Sequence, residues 1–144
     1  MRIDYTLNIA TPKELDFSNS EIIEAQKNGA KINLCHDAKT AAKNSDVLIA
    51  DTWISMGQGA EQDVLAKQEK LKLLMPFQVN QQLMNLANPQ AIFTHCLPAY
   101  RGYEVTADVI DGKKSIIFDE AENRLHAQKA ILLWLFDGCP HPKP

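Results

Sequence analysis

Short apolar runs alternate along the chain with stretches in which apolar residues recur at helical spacing. The apolar runs predict five strands, at residues 7–9, 31–36, 47–50, 91–94 and 115–118. Helical spacing occupies the stretches between most of them, and the predicted helices cover 18–29, 38–44, 62–74, 80–87 and 119–138. This order predicts an α/β fold with a doubly wound, mainly parallel sheet and helices on both faces, a Rossmann-like architecture.

Polar residues and glycines mark the ends of the predicted helices. Ser18 and Glu21 form a capping-box pattern, and Gly29 is placed to stop the helix that they begin. Each of the other predicted N-caps directly precedes a helical stretch: Asp37, Asn80 and Asp119. The last predicted helix carries Glu122 three residues after its cap and ends at Gly138.

Composition narrows the class of protein. With 144 residues, of which 45% are hydrophobic and 23% charged, the chain fits one globular unit with a real core. Its longest apolar run, 130–136, is far shorter than the about 20 residues of a membrane span. The net charge of −3 and the absence of a Lys/Arg cluster argue against nucleic-acid binding. The first residues lack the apolar stretch of a secretory signal, so we expect a cytoplasmic location.

Three polar segments follow predicted strands. Asp51 follows the third strand, His95 and Cys96 follow the fourth, and residues 119–124 follow the fifth. Ligands of parallel α/β sheets bind at the carboxyl ends of the strands, where helix N-termini also point. The sequence therefore predicts a ligand site built from these three segments.

Each segment allows a functional and a structural interpretation. Asp51 suits an ammonium group, or it caps a turn before a glycine-containing loop. His95 and Cys96 are adjacent on an extended chain and point to opposite faces, so they form no catalytic dyad. Cys96 beside a histidine suggests a thiolate nucleophile or a metal site, but a plain buried thiol is the default, since the three cysteines show neither a disulfide framework nor a zinc pattern. Arg124 could hold an anionic or carbonyl oxygen, or pair with Glu120 one turn earlier.

These segments resemble signature motifs of the ornithine carbamoyltransferases. The similar stretches are 51–57 (DTWISMG), 95–98 (HCLP) and 119–126 (DEAENRLH), in the order and at about the spacing of that family. Residues 8–12 and 104–106 are also similar, so the resemblance extends over nearly the whole chain. Each motif alone is weak evidence, but together they are highly specific.

The resemblance implies that carbamoyl phosphate and L-ornithine react to give L-citrulline and phosphate. It assigns ornithine binding to Asp51, Ser55 and Met56, with Asp51 contacting the α-ammonium group. Acetylornithine and putrescine remain alternative acceptors, although Asp51 suits a free α-ammonium group that neither of them offers.

The resemblance also assigns residues to the second substrate. Cys96 and Leu97 lie where the amine meets the carbamoyl carbon, and Arg124 binds the carbamoyl oxygen. Positioning and charge stabilisation suffice for this reaction, so we interpret Cys96 as a polar contact to the amine and not as a nucleophile. We assign no metal and no cofactor.

The resemblance is confined to the carboxyl-terminal half of the family. We expect residues 1–144 to form part of the ornithine-binding domain, without the amino-terminal carbamoyl-phosphate domain. The Ser-x-Arg-Thr and His-Pro-x-Gln motifs of that domain do not occur in the sequence, nor does the Gly-Asp-x-x-Asn segment that opens the ornithine domain. The sheet should therefore lack its first strand, which is an internal one.

Two further expectations concern partners and alternatives. Members of the family form homotrimers, and a separate amino-terminal half is a candidate partner; nucleic acid and membrane are not. The main alternative to a transferase is a non-catalytic amino-acid-binding or interaction module derived from one. A gene product without function is the third interpretation.

Overall fold

Strands and helices alternate in the computed structural model, which describes residues 4–16, 19–54 and 64–136. The strands are β1 (Thr6–Ala10), β2 (Lys31–Cys35), β3 (Val47–Ala50) and β4 (Ile92–His95). The α-helices are α1 (Asn19–Lys27), α2 (Ala38–Ala42), α3 (Val64–Leu74), α4 (Gln81–Met84), α5 (Ala107–Ile110) and α6 (Ile117–Phe136). Short 3-10 turns lie at Lys13–Leu15 and Met75–Phe77. The predicted α/β class is confirmed.

The described strands form two parallel pairs. β1 pairs with β2, with Thr6 opposite Lys31, and β3 pairs with β4, with Val47 opposite Ile92. Within the described ranges, no strand joins the two pairs into one sheet. This division agrees with the expectation that one internal strand of the sheet is lacking.

One apolar core joins the two pairs. Phe93 of β4 is fully buried and Leu48 of β3 nearly so, and burying such side chains contributes about 1.5–3 kcal/mol each. Ala10 and Ala50, the last residues of β1 and β3, pack against the same cluster. The helices that complete it contribute Ala38, Ala42, Leu83, Met84, Val109, Ile110 and Ile117. The core therefore holds the ends of β1 and β3 in one unit.

The end of α1 shows why Gly29 stops the helix. Gly29 has a φ of 85°, in the left-handed region that side chains with a Cβ avoid. Its N–H donates to the Gln26 carbonyl at 2.9 Å, and the Ala30 N–H donates to the Ala25 carbonyl at 3.0 Å. These two bonds form a Schellman motif, which satisfies carbonyl groups that the helix end leaves free. The predicted stop is confirmed.

Two predicted N-caps are also confirmed. The Asp37 carboxylate accepts the backbone N–H groups of Lys39 and Thr40 at the start of α2, and Asn80 Oδ1 accepts the Leu83 N–H at 2.9 Å at the start of α4. The Thr40 hydroxyl donates to Asp37 Oδ2 at 2.6 Å, the oxygen that also accepts the Thr40 N–H. These hydrogen bonds lower the pKa of Asp37, those from the Thr40 side chain and backbone most strongly.

Two substitutions of Asp37 should separate the effect of its capping hydrogen bonds from the effect of its negative charge. We expect Asp37→Ala to lower the melting temperature by about a few degrees, because two helix N–H groups lose their acceptor. Asp37→Asn keeps an acceptor oxygen but loses the charge, so at pH 7 it should lower the melting temperature less than Asp37→Ala does. Because the folded-state pKa of Asp37 lies below 3.8, its charge stabilises the fold above that pH and loses this effect as pH falls through the folded-state value. Thermal melts of Asp37→Asn should therefore show a weaker loss of stability in acid than the unsubstituted chain; an identical acid profile would contradict this.

The fifth predicted strand is wrong. Only Ser115 of the 115–118 run pairs with β4, through an isolated bridge to Phe93. The chain then turns into α6, since the Glu120 N–H already donates to the Ile116 carbonyl at 2.9 Å. A short apolar run such as Ile-Ile-Phe has the same pattern in a strand and in a buried helix start, and Ile117 is buried at this start.

The predicted cap of the last helix is wrong for the same reason. Asp119 lies inside the first turn of α6 instead of preceding it. An acidic side chain is favourable in either position because the helix N-terminus carries partial positive charge. The predicted capping by Ser18 and the predicted helix end at Gly138 lie outside the described residues.

Most of α6 projects away from the core. Every residue from 121 to 136 is exposed, including the apolar run 130–136 that the sequence would place in a helix buried on more than one face. No helix in the described ranges is both long enough and apolar enough to cross a membrane.

Candidate functional site

The structure brings Asp51 and Cys96 together. Each is the first residue after a strand, and the two strands are parallel neighbours with Ala50 opposite His95. The Cys96 thiol donates to Asp51 Oδ1 across 3.3 Å. The carboxyl ends of β3 and β4 thus place a carboxylate and a thiol side by side, at the position where parallel α/β sheets bind their ligands.

Hydrogen bonds from Thr52 tie the two strand-end loops together. Its backbone N–H donates to Asp51 Oδ1 at 2.7 Å, and its hydroxyl donates to the Pro98 carbonyl at 2.5 Å. The first bond orients the Asp51 carboxylate, and the second fixes the distance between the loops. Both bonds limit the freedom of Asp51 relative to Cys96.

The loop after Cys96 has an unusual backbone. Leu97 has a φ of 55°, which is rare for a bulky side chain, and a cis peptide bond joins it to Pro98. The Leu97 N–H donates to Nδ1 of His95 at 2.8 Å, which helps to hold this conformation. A left-handed φ at a bulky residue is sparsely populated, and residues of this kind cluster at functional sites.

A buried His–Glu pair lies beneath this loop. The side chains of His95 and Glu104 are fully buried, and His95 Nε2 lies 3.6 Å from Glu104 Oε1. Because Nδ1 of His95 accepts the Leu97 N–H, its proton sits on Nε2 and faces the Glu104 carboxylate. Glu104 Oε1 also accepts the N–H of Tyr100 and so holds that end of the 96–100 loop, whereas His95 Nε2 has no hydrogen-bond partner among the described residues.

Sequence reasoning missed this pair. In the sequence, His95 stands out only as the neighbour of Cys96, and Glu104 only as part of the similar stretch 104–106. No local pattern reveals that two residues nine positions apart meet in the core. The one sequence signal that Glu104 is buried is its position directly before two β-branched residues, Val105 and Thr106, and this signal is weak.

A cavity of about 300 Å³ opens beside Asp51, between the carboxyl ends of β1 and β3. This volume is at the lower end of the range for ligand sites, about 300–1,000 Å³. Its polar lining includes two carboxylates and one ammonium group. The lining residues that matter here are Thr11, Asp51, Thr52, Lys70 and Glu104.

The surroundings of Cys96 raise the pKa of its thiol. Partial burial is the largest cause, followed by the hydrogen bond to Asp51 and by the negative charge of that carboxylate. Near neutral pH the side chain is therefore a thiol that donates a hydrogen bond. A catalytic nucleophile needs a depressed pKa, so this environment agrees with the interpretation of Cys96 as a polar contact.

Removing the charge of Asp51 should make Cys96 more reactive. In Asp51→Asn the raising effect of the carboxylate is lost, the pKa falls, and a larger thiolate fraction is present at pH 7–8. Each unit of pKa changes that fraction about tenfold. Because burial remains as the largest cause, we expect iodoacetamide to modify Cys96 faster in this variant but still more slowly than free cysteine, measured by peptide mass spectrometry. Asp46→Asn, at the opposite end of β3, is the control, and an equal acceleration in both variants would contradict the assignment.

The structure does not bring Arg124 to this pair. Arg124 is exposed on α6, and it forms no hydrogen bond or ion pair with any other described residue. The alternative pairing with Glu120 is not formed either; the Glu120 carboxylate accepts the Thr94 hydroxyl. Ser55 and Met56, the other two predicted ornithine contacts, lie outside the described residues.

A site at the carboxyl ends of parallel strands, in an α/β fold of this order, defines a Rossmann-like ligand-binding domain. The chain belongs to the aspartate/ornithine carbamoyltransferase family: residues 1–135 match its Asp/Orn-binding domain.

Individual relatives agree with this assignment. The chain is 48% identical over 137 residues to an ornithine carbamoyltransferase from Bradyrhizobium diazoefficiens. This match covers 95% of this chain and 43% of the relative. The solved ornithine carbamoyltransferase from Campylobacter jejuni is similar with a TM-score of 0.76 and 40% identity, over 92% of this chain and 43% of that one. For the enzyme from Pyrococcus furiosus the TM-score is 0.75 and the identity 44%, over 89% and 41%. The chain thus spans about two fifths of the length of these relatives.

Proposed function

We propose that this chain supplies the ornithine-binding part of an ornithine carbamoyltransferase. The proposed reaction transfers the carbamoyl group of carbamoyl phosphate to the δ-amine of L-ornithine. The observation that carries the proposal is the contact between Asp51 and the Cys96 thiol at the ends of two parallel strands, in a chain of this family. The amino-terminal carbamoyl-phosphate domain is proposed to come from the part of the relatives that this chain does not span.

Asp51 is the proposed partner of the ornithine α-ammonium group. Its Oδ1 already accepts hydrogen bonds from Thr52 and Cys96, whereas none of the described residues donates to Oδ2. Oδ2 can therefore accept an ammonium N–H, and such charge-assisted bonds contribute roughly 1.5–3 kcal/mol. The proposed contacts from Ser55 and Met56 would complete this end of the substrate.

The chemical step needs positioning more than it needs a covalent intermediate. The neutral δ-amine attacks the carbamoyl carbon, the bond from that carbon to the phosphate oxygen breaks, and the amine proton leaves with the departing phosphate or with solvent. Negative charge builds on the carbamoyl oxygen, and Arg124 is proposed to stabilise it. Cys96 and Leu97 are proposed to hold the amine and the carbamoyl group at reacting distance.

Substituting Cys96 tests its role. The complemented enzyme is this chain mixed with the amino-terminal half of a relative. In it, we expect Cys96→Ser to keep measurable turnover, reduced about tenfold or less, because a hydroxyl still donates to Asp51 and replaces one neutral contact. An obligatory nucleophile would instead lose nearly all activity. Citrulline formation measures the rate, and mass spectrometry of the quenched reaction would detect a carbamoylated Cys96, whose accumulation would contradict the proposal.

The function is tested by citrulline formation after the chain is mixed with an amino-terminal half. A non-catalytic module would bind L-ornithine without producing citrulline under the same conditions. Acetylornithine and putrescine are the comparison acceptors, since neither offers the α-ammonium group of an amino acid to Asp51. Faster reaction with either of them would overturn the choice of ornithine.

A further inference from the structure

In the described part of the chain, helix α6 is attached to the rest of the fold only at its beginning. The Ile116 N–H, just before the helix, donates to the Phe93 carbonyl of β4 at 2.9 Å, and Ile117 is buried in the core. From residue 121 onwards every described position of the helix is exposed. The direction of α6 relative to β4 therefore depends on the few contacts of its first turn.

One of these contacts is a side-chain hydrogen bond from β4 to the helix. The Thr94 hydroxyl donates to Glu120 Oε2. Thr94 is buried in a strand that pairs with β3, so it is a fixed point of the sheet, and Glu120 is half-buried. Among the described residues, Glu120 is the last residue of α6 that is hydrogen-bonded to another element.

Ile117 and Glu120 hold α6 at two points. They are three positions apart, which is about one turn, and lie on the same side of the helix. A single contact at Ile117 would leave the helix free to pivot and to rotate about it. The second contact removes both freedoms, and it can be deleted without altering the core.

The same side of the helix continues to Arg124. Arg124 follows Ile117 by seven positions and Glu120 by four, the spacing of one helical stripe. Helical side chains lean back towards the amino terminus, so the surface that Arg124 can cover lies over the turn that contains Glu120. Because Arg124 has no described partner of its own, the direction of the helix decides where its guanidinium group is presented.

The contact between Thr94 and Glu120 also lies beside the candidate site. Thr94 and Cys96 are two positions apart on an extended chain and therefore face the same side of β4. Burial raises the pKa of the Cys96 thiol most, and the negative charge of Glu120 adds to that rise, so this carboxylate lies near the thiol. The contact thus joins the base of α6 to the strand end that carries Cys96.

We propose that Glu120 is a positioning residue for Arg124: held by the Thr94 hydroxyl, it fixes the direction of α6 and so the place at which Arg124 meets the carbamoyl oxygen. The inference rests on the proposed function, because it concerns the same transfer reaction. Glu120 itself touches no substrate in this assignment. Its side chain acts as the acceptor of the Thr94 hydroxyl, and the positioning role does not need its charge.

Four variants of the complemented enzyme test the assignment. Thr94→Val and Glu120→Ala each remove the hydrogen bond and should lower kcat at least about tenfold, because a displacement of about 1 Å at a reacting group can cost up to about a hundredfold. Thr94→Ser keeps a donor and Glu120→Gln keeps an acceptor, so both should recover most of this loss. The KM for L-ornithine should change less than about twofold, since its proposed contacts do not lie on α6.

Glu122→Ala is the matched control. Glu122 is an exposed carboxylate of the same helix, and its Oε1 lies 3.5 Å from Nε2 of His126. It is two positions from Glu120 and therefore lies on another side of α6. Its replacement should leave kcat and both KM values unchanged.

A double-mutant cycle identifies the residue through which Glu120 acts. In an Arg124→Lys background, Glu120→Ala should cost less than about threefold in kcat, because a flexible ammonium group depends less on the direction of the helix than a planar guanidinium group does. An undiminished cost in that background would mean that Glu120 and Arg124 act independently.

A measurement without turnover reports the orientation of the helix directly. Residual dipolar couplings of the backbone amides in the 144-residue chain compare α6 with β3 and β4. In Thr94→Val and Glu120→Ala the couplings of α6 should fall at least about twofold relative to those of the strands, because the helix samples more directions. Glu122→Ala should leave them unchanged.

The outcomes separate this inference from the proposed function. If even the unsubstituted mixture forms no citrulline, the proposed function fails and the inference fails with it. If the mixture is active, unchanged kcat or unchanged couplings in Glu120→Ala, or an equal loss in Glu122→Ala, would overturn the inference alone. A parallel rise in the KM for L-ornithine would also overturn it, since it would indicate a purely structural role. If Thr94→Val does not melt cooperatively, Glu120→Ala decides, because the half-buried Glu120 lies outside the core.

Discussion

Citrulline should form at least about a thousandfold faster when the chain is mixed with the amino-terminal half of a relative than when it is assayed alone. The phosphate of the second substrate carries about two negative charges near neutral pH and needs cationic and helix-terminal partners. Within the described residues, only one cationic side chain, Lys70, lines the cavity beside Asp51. Without further partners neither binding nor polarisation of carbamoyl phosphate is provided, and each such loss costs orders of magnitude in rate.

The assay uses purified chain, an amino-terminal fragment of the Campylobacter jejuni enzyme that ends where its match to this chain begins, and their mixture. Each half alone is the control, and light scattering reports the size of the species that is active. Robust turnover by the chain alone as a clean monomer would show that the chain itself contains the carbamoyl phosphate site, which would contradict the prediction. Ornithine binding without turnover in a stable mixture would favour the non-catalytic module.

Local sequence signals predicted much of the fold. Gly29, Asp37 and Asn80 act within a few residues of themselves, through a left-handed φ or a side-chain acceptor, so their effects can be read from neighbouring positions. The β3 strand at Val47–Ala50 has the predicted bounds, because a short apolar run between polar residues suits a buried parallel strand.

The failures arise where tertiary contacts decide between two structures that the pattern allows. The Ile-Ile-Phe run at 116–118 satisfies a strand and a helix start equally well, and packing of Ile117 in the core selects the helix. Helix α5 has only four residues and no side-chain cap, so nothing in the sequence distinguished it from a loop.

The candidate site divides in the same way. The neighbourhood of Asp51 and Cys96 was predictable, because both follow strands and parallel strand ends meet at one edge. The His95–Glu104 pair beneath them was not predictable, since these residues meet only through the folded loop. The left-handed φ of Leu97 was not predictable either, because no glycine marks that position. Arg124 was predicted from its motif, and the described structure leaves it exposed on α6, without a described partner.

The second large effect is expected from Asp51→Asn in the complemented enzyme. The amide keeps an oxygen for Thr52 and Cys96, so the loops stay in place, but it loses the charge that is proposed to bind the α-ammonium group. A lost charge-assisted bond of roughly 1.5–3 kcal/mol corresponds to about a 10- to 150-fold fall in kcat/KM for L-ornithine. The KM for carbamoyl phosphate should change little, because its proposed contacts lie on other residues.

Steady-state kinetics with each substrate varied in turn separates these effects. Asp46→Asn is the matched control, since its carboxylate lies before β3, at the other end from the site, and accepts the Asn88 amide. Asp51→Asn should also narrow the preference for ornithine over putrescine, which has no α-carboxylate and is not bound as an amino acid. Because Asn keeps one acceptor oxygen and nearly the same shape, equal losses for L-ornithine and carbamoyl phosphate would assign Asp51 to the structure of the loop and remove it from the ornithine site.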